Sequence, residues 1–321
     1  MELVYPERLR PGDLIAVVSP ASPPYGAKRE GYRRGIQYLR DLGYRVIEGE
    51  HVSSENGYLA GTDEQRLADL NAMLQNPQVR AILCTRGGYG SIRILDKVDF
   101  EAAKNSPKIL VGYSDITALQ LALLSQSGLV TLSGPMVAVE LGAIDPVTEK
   151  YFWPLLTGTR SLALDGKSGG ARLRLYRGGL AEGPLIPGCL SVISALVGTP
   201  YLPDMNGAIL VLEDVGEPVY RIDRNLNHLR HAGILSGLNG LIFGQFLDPQ
   251  PGVDAGIDPD RALDELFQQV ADRLDCPVLG RFPYGHGPKK YSLPVGPRAR
   301  LDAGRGLLHL LTSGVSHAQE T

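Results

Sequence analysis

The chain contains few cysteines and no excess of positive charge. Three of its 321 residues are cysteine, and Cys84, Cys189 and Cys276 are too far apart to form a CxxC pair. This spacing argues against a cysteine-rich metal site and a disulfide framework, and it favours a reducing compartment. The net charge of −3 gives no basic surface of the kind that binds nucleic acid or an anionic membrane. We therefore expect a cytoplasmic protein without a nucleic-acid or membrane partner.

Long hydrophobic runs are also absent. The N-terminal residues include Glu2, Glu7 and Arg8, so no secretory signal is predicted. The longest uncharged stretch, residues 116–139, is interrupted by polar side chains and by Pro135, which is unlike a membrane-spanning helix. The sequence predicts a helix, a break and a strand there instead.

Glycine and proline, in contrast, are plentiful. The chain has 39 glycines and 23 prolines, so turns should be frequent. An apolar fraction of 43% is ordinary for a globular protein, and the length predicts about two domains. From about residue 151 to residue 187, glycine-containing segments interrupt the regular pattern of apolar residues. We predict an N-terminal domain over 1–155, a linker region over 156–187, a C-terminal domain over 188–313 and a tail over 314–321.

The N-terminal half alternates apolar runs with amphipathic segments. Residues 14–18, 81–85 and 108–112 are short apolar runs typical of buried strands, and helical spacing follows each of them. Thr62 and Gln65 predict a capping box at the start of one helix. This alternation predicts an α/β fold in which a parallel sheet carries helices on both faces.

The second half predicts a β/α domain without a metal site. Apolar runs at 208–212 and 241–243 are typical of strands, and segments with helical spacing separate them. His228 and His231 lack a third ligand, and the acidic segment 248–260 lacks the spacing of a calcium loop. We expect neither a metal nor an organic cofactor.

Ser114 lies where a predicted buried strand gives way to a helix, in the sequence Gly-Tyr-Ser-Asp. A serine on such a turn faces the crevice at the carboxyl end of a sheet, where helix amides stabilise negative charge. This position is typical of a nucleophile. The alternative is that Ser114 is only the N-cap of the helix. Ile116 stands where the nucleophile motif of α/β-hydrolases has glycine, which argues against an ordinary member of that class.

The segment 86–90, Arg-Gly-Gly-Tyr-Gly, follows the preceding predicted strand and should open on the same sheet edge. Glycines let backbone amides approach a ligand, so Gly87 and Gly88 are candidate donors to an oxyanion or a phosphate. Arg93 replaces the third glycine of a dinucleotide fingerprint, and no P-loop lysine follows. A tight structural turn is the alternative.

A serine nucleophile needs a base and an acid that orients the base. Of the six histidines, His286 is the best candidate, because it lies in a proline- and glycine-rich segment after a predicted strand. Glu213 directly follows a predicted buried strand, where a carboxylate needs a partner. A salt bridge from Glu213 to Arg221 or Arg224 is the alternative to a catalytic role.

Four separated motifs together resemble a known family. They are RGGYG at 86–90, GYSDITAL at 112–119, LEDVGE with YRIDR at 212–224, and GHG with LPVG at 285–296. In this order they are similar to the motif set of the LD-carboxypeptidases, the muramoyltetrapeptide carboxypeptidases. Relatives of that family include the microcin C self-immunity peptidases. The resemblance extends from about Arg10 to Asp302.

The resemblance implies a Ser–Glu–His triad with Ser114 as nucleophile, His286 as base and Glu213 as orienting acid. It also implies an N-terminal doubly wound domain similar to class I glutamine amidotransferases, a C-terminal swivelling β/α domain and a homodimer. Glu217 is the alternative acid, but immunity-type relatives keep the acid at the strand end, which favours Glu213. Cys189 departs from the family pattern, because many relatives have asparagine there.

These roles imply a cytoplasmic serine carboxypeptidase that removes the terminal D-alanine from murein tetrapeptides in cell-wall recycling. The backbone amides of Asp115 and of Gly87 or Gly88 would receive the oxyanion. The carboxylate of the leaving residue requires a cationic partner, for which the candidates are Arg86, Arg221 and Arg224.

Two other functions remain open at this point. An immunity-type serine peptidase would cleave a peptidyl-nucleotide antibiotic, although segment 220–224 is more similar to the recycling branch. A non-catalytic two-domain protein would bind a small ligand, use Ser114 only as a helix cap and close its cleft on an anion.

Overall fold

Two β-sheets with helices packed against them form the framework of the protein. A computed structural model describes residues 2–159, 161–166, 170, 172–250 and 258–316. The elements of the first half are, in chain order, β1 (Leu14–Val18), α1 (Lys28–Asp41), β2 (Arg45–Glu48), α2 (Asp63–Gln75), β3 (Val79–Cys84), α3 (Phe100–Asn105), β4 (Ile109–Gly112), α4 (Ile116–Ser127), β5 (Thr131–Ser133) and α5 (Pro146–Thr157).

The second half contributes nine further strands and three further helices within the described residues. They are β6 (Leu162–Asp165), β7 (Arg174–Arg177), β8 (Leu180–Cys189), α6 (Leu190–Leu196), β9 (Ile209–Val215), α7 (Val219–His231), β10 (Gly240–Leu247), α8 (Pro259–Asp272), β11 (Val278–Gly280), β12 (Leu293–Val295), β13 (Arg298–Asp302) and β14 (Leu307–Leu310). Short 3-10 helices lie at Ser91–Lys97, Leu141–Ala143 and Leu235–Gly237.

The first sheet has the order β12-β5-β4-β3-β1-β2. Strands β1 to β5 are parallel, and β12 pairs antiparallel with β5. The parallel strands thus follow the order 2-1-3-4-5 of a doubly wound sheet, whose ligands bind at the carboxyl edge where the order reverses. The predicted α/β class with a parallel N-terminal sheet is confirmed.

Both faces of this sheet are buried. In β1, Ala16 and Val18 belong to one hydrophobic core, whereas Ile15 and Val17 belong to a second. Because successive side chains of a strand point to opposite faces, the two cores lie on opposite sides of the sheet. This explains why the strand is an unbroken apolar run rather than an alternating one.

Local signals in the first half are accurate. The predicted capping box is confirmed, because Thr62 Oγ1 accepts from Gln65 N at 3.3 Å and Gln65 Oε1 accepts from Thr62 N at 2.9 Å. The uncharged stretch 116–139 contains α4, a left-handed Gly128 with φ 71° and β5, as expected. None of the helices in the described ranges is long and apolar enough to cross a bilayer.

The second sheet has the order β6-β14-β13-β8-β9-β10-β11-β7. Its central strands β8 to β11 are parallel, and the outer ones are antiparallel. The region 156–187, predicted as a linker, supplies β6, β7 and most of β8 to this sheet. The edge strand β7 buries only Tyr176, so it lacks the continuous apolar run that predicts a strand.

The chain also returns from the second sheet to the first. Strand β12 lies within the predicted C-terminal domain, yet it pairs with β5 of the first sheet. Of the predicted tail, Val315 is buried and Ser316 N donates to Pro6 O at 2.8 Å, so residues 314–316 are packed rather than loose. Residues 317–321 lie outside the described part of the chain. The exact domain boundaries stay a prediction.

Candidate active site

Ser114 lies in a strained turn between β4 and α4. Its φ of 64° is in the left-handed region, which is uncommon for a residue with a side chain. A Cβ on Gly112 would lie 2.8 Å from Ile116 Cγ2, so glycine at this position allows the turn to close against the helix. The N-cap of α4 is Asp115, and no side-chain hydrogen bond caps the helix. The interpretation of Ser114 as the helix cap therefore has no support.

Asp115 joins the serine turn to the glycine-rich loop. Its carboxylate is buried and accepts a hydrogen bond from Ser91 N at 2.8 Å. Ser91 begins the 3-10 helix that follows segment 86–90. The carboxylate of Asp115 thus fixes the loop after β3 against the turn after β4.

Gly87 lies directly against the hydroxyl of Ser114. A Cβ added to Gly87 would be 3.0 Å from Ser114 Oγ and 3.3 Å from the amide nitrogen of Asp115. Gly88 has a φ of 111°, and a Cβ there would be 2.2 Å from Ser22 Oγ. Within the described ranges, none of the backbone amides of residues 87, 88 and 115 donates a hydrogen bond to another protein group. These amides are therefore available to an oxyanion beside Ser114.

Replacing Gly87 with alanine should impair this arrangement. The added methyl group must displace the side chain of Ser114 or the loop itself, because a contact under 3.0 Å to Ser114 Cβ is not tolerated. We expect turnover of a peptide substrate to fall about 10²-fold, in the range seen when one oxyanion donor is lost. The matched control is Gly178→Ala, since a Cβ at Gly178 meets open space. Equal turnover in both variants would show that the close approach of Gly87 is unimportant.

Glu213 and His286 form a hydrogen-bonded pair. Nδ1 of His286 lies 2.6 Å from Oε2 of Glu213, at the carboxyl end of the second sheet. The side chain of Glu213 is 1% exposed and that of His286 is 18% exposed. A Cβ at Gly285, which has a φ of 132°, would lie 2.9 Å from Glu213 Oε2, so glycine is needed for the loop to reach the carboxylate. An ionised carboxylate only accepts, so the Nδ1–H of the imidazole is the donor.

Two features of its environment change the pKa of Glu213 in opposite directions. Burial raises the pKa of Glu213, and the hydrogen bond from His286 opposes that rise. The second carboxylate oxygen, Oε1, is buried and has no hydrogen-bond partner in the described part of the protein. The imidazole is therefore the hydrogen-bond partner that stabilises this carboxylate.

The other candidate acid lies elsewhere. Glu217 forms an ion pair with Arg221 at 3.6 Å, four residues along the chain. Of the two glutamates, the structure brings Glu213 to the imidazole. The alternative interpretation of Glu213, a salt bridge to Arg221 or Arg224, is not observed, because the guanidinium of Arg224 lies over the ring of Tyr220 at 5.3 Å.

The histidine loop packs against the serine turn. The rings of His286 and Tyr113 are edge to face, with centroids 5.0 Å apart, and Tyr113 directly precedes Ser114. On the same loop, the hydroxyl of Tyr284 hydrogen-bonds Ser133 Oγ of β5 at 2.8 Å. The structure thereby brings the imidazole, the buried carboxylate, the serine turn and the glycine loop together.

Two supporting side chains were not predicted from the sequence. Gln245 accepts from Gly287 N at 2.9 Å and donates to Lys289 O at 3.1 Å, so it holds the loop of His286 from both sides. The fully buried Arg66 donates to Gly90 O at 2.9 Å and so supports the glycine loop. For Gln245 a signal exists, since a polar residue follows a predicted strand at the sheet edge that carries the site. For Arg66 no signal distinguishes it from a surface arginine.

The three candidate substrate-binding arginines differ in position. Arg86 begins the glycine loop, and its guanidinium lies 4.9 Å from the centroid of Tyr25. A Cβ on Gly88 would be 3.8 Å from Arg86 Nη2, which places this cation beside the loop. Arg221 and Arg224 lie on α7, which follows the strand of Glu213. Arg86 is therefore the candidate nearest to the serine turn along the chain.

The remaining histidine cluster has an ordinary structural role. His228 Nδ1 and Ser194 Oγ are 3.0 Å apart, which ties α7 to α6. His231 lies 2.7 Å from Arg230 Nη2 on the protein surface. Among the described residues, no group of three or more His, Cys, Asp or Glu side chains is arranged to hold a metal ion.

Comparison with known proteins identifies relatives along most of the chain. Residues 15–134 match the model of the LD-carboxypeptidase N-terminal domain, and residues 182–301 match that of the LD-carboxypeptidase C-terminal domain. The murein tetrapeptide carboxypeptidase of Pseudomonas aeruginosa is 34% identical over 307 residues, which cover 91% of this chain and 94% of that protein.

Solved structures agree with this relationship. The muramoyltetrapeptide carboxypeptidase of Oxalobacter formigenes superposes with a TM-score of 0.79 at 31% identity, over 92% of this chain and 97% of that one. The wild-type microcin C7 self-immunity protein MccF of Escherichia coli has a TM-score of 0.86 at 24% identity, over 98% of this chain and 100% of that one. At that identity the second likeness supports the fold alone.

Proposed function

The chain belongs to the LD-carboxypeptidase family, and from this premise we propose that it is a serine peptidase that releases the terminal D-alanine from murein tetrapeptides. The observation that carries the proposal is the 2.6 Å hydrogen bond between His286 and the buried Glu213. His286 lies on a loop that packs against Tyr113, the residue directly before Ser114. The family resemblance adds a homodimer and a role in cell-wall recycling, and the composition adds a cytoplasmic location.

In the proposed mechanism, Ser114 is the nucleophile and His286 is the general base. Because Nδ1 of the imidazole is engaged by Glu213, Nε2 is the atom that accepts the proton from Ser114 Oγ. The oxygen attacks the carbonyl carbon of the L-configured residue that precedes D-alanine. The negative charge that develops on the carbonyl oxygen is received by backbone amides of residues 87, 88 and 115.

The intermediate then collapses with balanced proton transfers. The C–N bond breaks as the imidazolium returns its proton to the nitrogen of the leaving D-alanine, and an ester to Ser114 Oγ remains. Water, deprotonated by the same imidazole, attacks this ester and releases the tripeptide. The proton returns from His286 to Ser114 Oγ, and the enzyme is restored.

Arg86 is the arginine that we propose for the carboxylate of the leaving residue. In Arg86→Met, we expect KM for the tetrapeptide to rise about 10- to 100-fold, because a hydrogen bond to a charged group contributes roughly 1.5–3 kcal/mol. A tetrapeptide whose C-terminus is an amide lacks that charge, so the same substitution should change its kinetics little. Arg221→Met and Arg224→Met are the comparison variants. If one of them shows the larger and charge-dependent effect, the assignment to Arg86 is wrong.

The proposed activity is tested by incubating the purified protein with a murein tetrapeptide and measuring free D-alanine. We expect release from the tetrapeptide and none from the pentapeptide that ends in D-alanyl-D-alanine, because its scissile carbonyl belongs to a D-configured residue. A third reaction contains an aminoacyl sulfamoyl nucleotide, the substrate class of the immunity branch. Cleavage of that compound alone would replace the murein assignment, and cleavage of none of them would refute the peptidase proposal.

A further inference from the structure

A buried ion pair lies beside the candidate triad, and the mechanism above does not use it. Lys290 is four residues after His286, and its Nζ lies 2.6 Å from Oε1 of Glu140. The two side chains are 3% and 12% exposed. Burying such a pair costs desolvation energy that apolar residues avoid, so a buried ion pair is weak evidence for a role in stability.

The pair encloses the residue that precedes the nucleophile. Lys290 Nζ lies 3.9 Å from the centroid of the Tyr113 ring, and the hydroxyl of Tyr113 donates to Glu140 Oε1 at 2.7 Å. The same ring is the one that packs edge to face against His286. Tyr113, Glu140 and Lys290 are therefore one connected cluster, which we name the lysine clamp.

The lysine clamp is held on both sides. The backbone amide of Lys290 donates to Thr148 Oγ1 at 3.1 Å, and the backbone amide of Met136 donates to Glu140 Oε2 at 2.9 Å. Glu140 and Tyr113 come from the first half of the chain, whereas Lys290 and His286 come from the second. The clamp thus connects the histidine loop to the serine turn across a long separation in sequence.

We propose that Lys290 is a positioning residue for the triad. Its side chain fixes the histidine loop against Tyr113 and keeps the Glu213–His286 pair in its proton-accepting state. Its kinetic consequences rest on the proposed peptidase function, whereas its effect on the pair does not. This role requires that Lys290 be charged, buried and in close contact with Tyr113. The negative charge of Glu140 partly offsets the effect of the lysine charge on the Glu213–His286 pair.

Besides burial, several neighbouring titratable groups affect the pKa of Glu213. Those that face it are His286, Lys290, Asp214, Cys189, Tyr113 and Tyr284. Lys290 lowers the pKa of Glu213, as His286 does, whereas Asp214 raises it. Without the lysine, the Glu213–His286 pair should bind its proton at a higher pH. Without Glu140, the uncompensated lysine should have the opposite effect.

The test uses Lys290→Met and Glu140→Gln. For each variant, the proton uptake of the Glu213–His286 pair is followed by NMR of labelled histidine, with the signal of His286 identified from a His286→Gln sample. We expect the midpoint to move up in Lys290→Met and down in Glu140→Gln. The acid limb of kcat/KM for D-alanine release should move in the same two directions.

Three further variants separate charge from general damage. Lys290→Arg retains the charge and should keep a midpoint near that of the wild type. Lys108→Met is the matched control, because Lys108 is equally buried at 3% exposure but precedes β4, whereas Ser114 follows it. The double variant Lys290→Met/Glu140→Gln leaves no unpaired charge, and its midpoint should return towards the wild-type value. If Lys290→Met does not fold, the downward shift expected of Glu140→Gln is the decisive measurement.

Each outcome supports or overturns the inference. Opposite shifts in the two single variants, with cancellation in the double variant, support it. Shifts in the same direction, or loss of activity without any shift, would mean that the clamp only stabilises the fold. Opposite shifts in a protein that releases no D-alanine would leave the inference standing and refute the proposed peptidase function. D-alanine release with unmoved midpoints would support the proposed peptidase function and refute the inference about Lys290.

Discussion

The Ser114→Ala variant is expected to release D-alanine at least about 10⁴-fold more slowly than the wild type. Without Oγ no acyl-enzyme forms, and only the binding contacts and the amides around residue 114 remain to favour the reaction. The fold should persist, since alanine and serine bear similar strain at the φ of 64° found there. Turnover of a purified tetrapeptide is the measurement, with KM expected to change only a few-fold.

The matched control for this variant is Ser127→Ala. Ser127 is a buried serine at the far end of the same helix α4, where its hydroxyl donates to Leu123 O at 2.6 Å. It lies roughly 18 Å from the start of the helix, too far to touch a substrate at Ser114. Near-normal turnover is expected. If Ser114→Ala retains full activity while mass spectrometry detects no acyl-enzyme in the wild type, another group is the nucleophile.

The sequence predicts the first sheet well because its signals are local. Each central strand is buried on both faces, so it is a continuous apolar run, as residues 14–18 illustrate. The site motifs are equally local, because the carboxyl end of a parallel strand is the position where a ligand binds. Ser114 and Gly87 lie within three residues of the ends of β4 and β3, and Glu213 lies near the end of β9, in strands that their own neighbouring residues define.

The parts that the sequence does not predict depend on distant contacts. Strand β7 is an edge strand whose single buried side chain gives no pattern, and β12 pairs with a strand about 160 residues earlier in the chain. The ion pair of Lys290 with Glu140 joins residues 150 positions apart. Nothing near either residue distinguishes it from a solvent-exposed charge, so only the folded arrangement reveals the lysine clamp.

Glu213→Gln is expected to lower kcat for D-alanine release about 10³- to 10⁴-fold with little change in KM. The amide is nearly isosteric, so the side chain should remain in its place on β9, next to His286. It carries no negative charge to stabilise the imidazolium, and its NH₂ group favours the wrong imidazole tautomer. The effect should therefore appear in the chemical step rather than in substrate binding.

Glu217→Gln is the comparison variant for the acid. Glu217 pairs with Arg221 rather than with an imidazole, so kcat should fall by less than about 3-fold. Loss of turnover in Glu217→Gln together with normal turnover in Glu213→Gln would assign the acid to the later glutamate. Rates measured at several pH values exclude the possibility that a shifted optimum imitates a loss.

The pH dependence of stability gives an independent measurement on the same variant. Because burial raises the pKa of Glu213, its carboxyl is harder to ionise in the folded chain than in the unfolded one. Its contribution to stability is therefore greatest in acid and is lost as the pH rises from the ordinary value of 4.5 through the raised one. Glutamine does not titrate, so the melting temperature of the wild type, measured relative to Glu213→Gln, should decline across that interval. If the difference in melting temperature between the two proteins is constant across that interval, the buried carboxyl of Glu213 is no harder to ionise in the folded chain than in the unfolded one. Burial would then not raise the pKa of the group that orients His286.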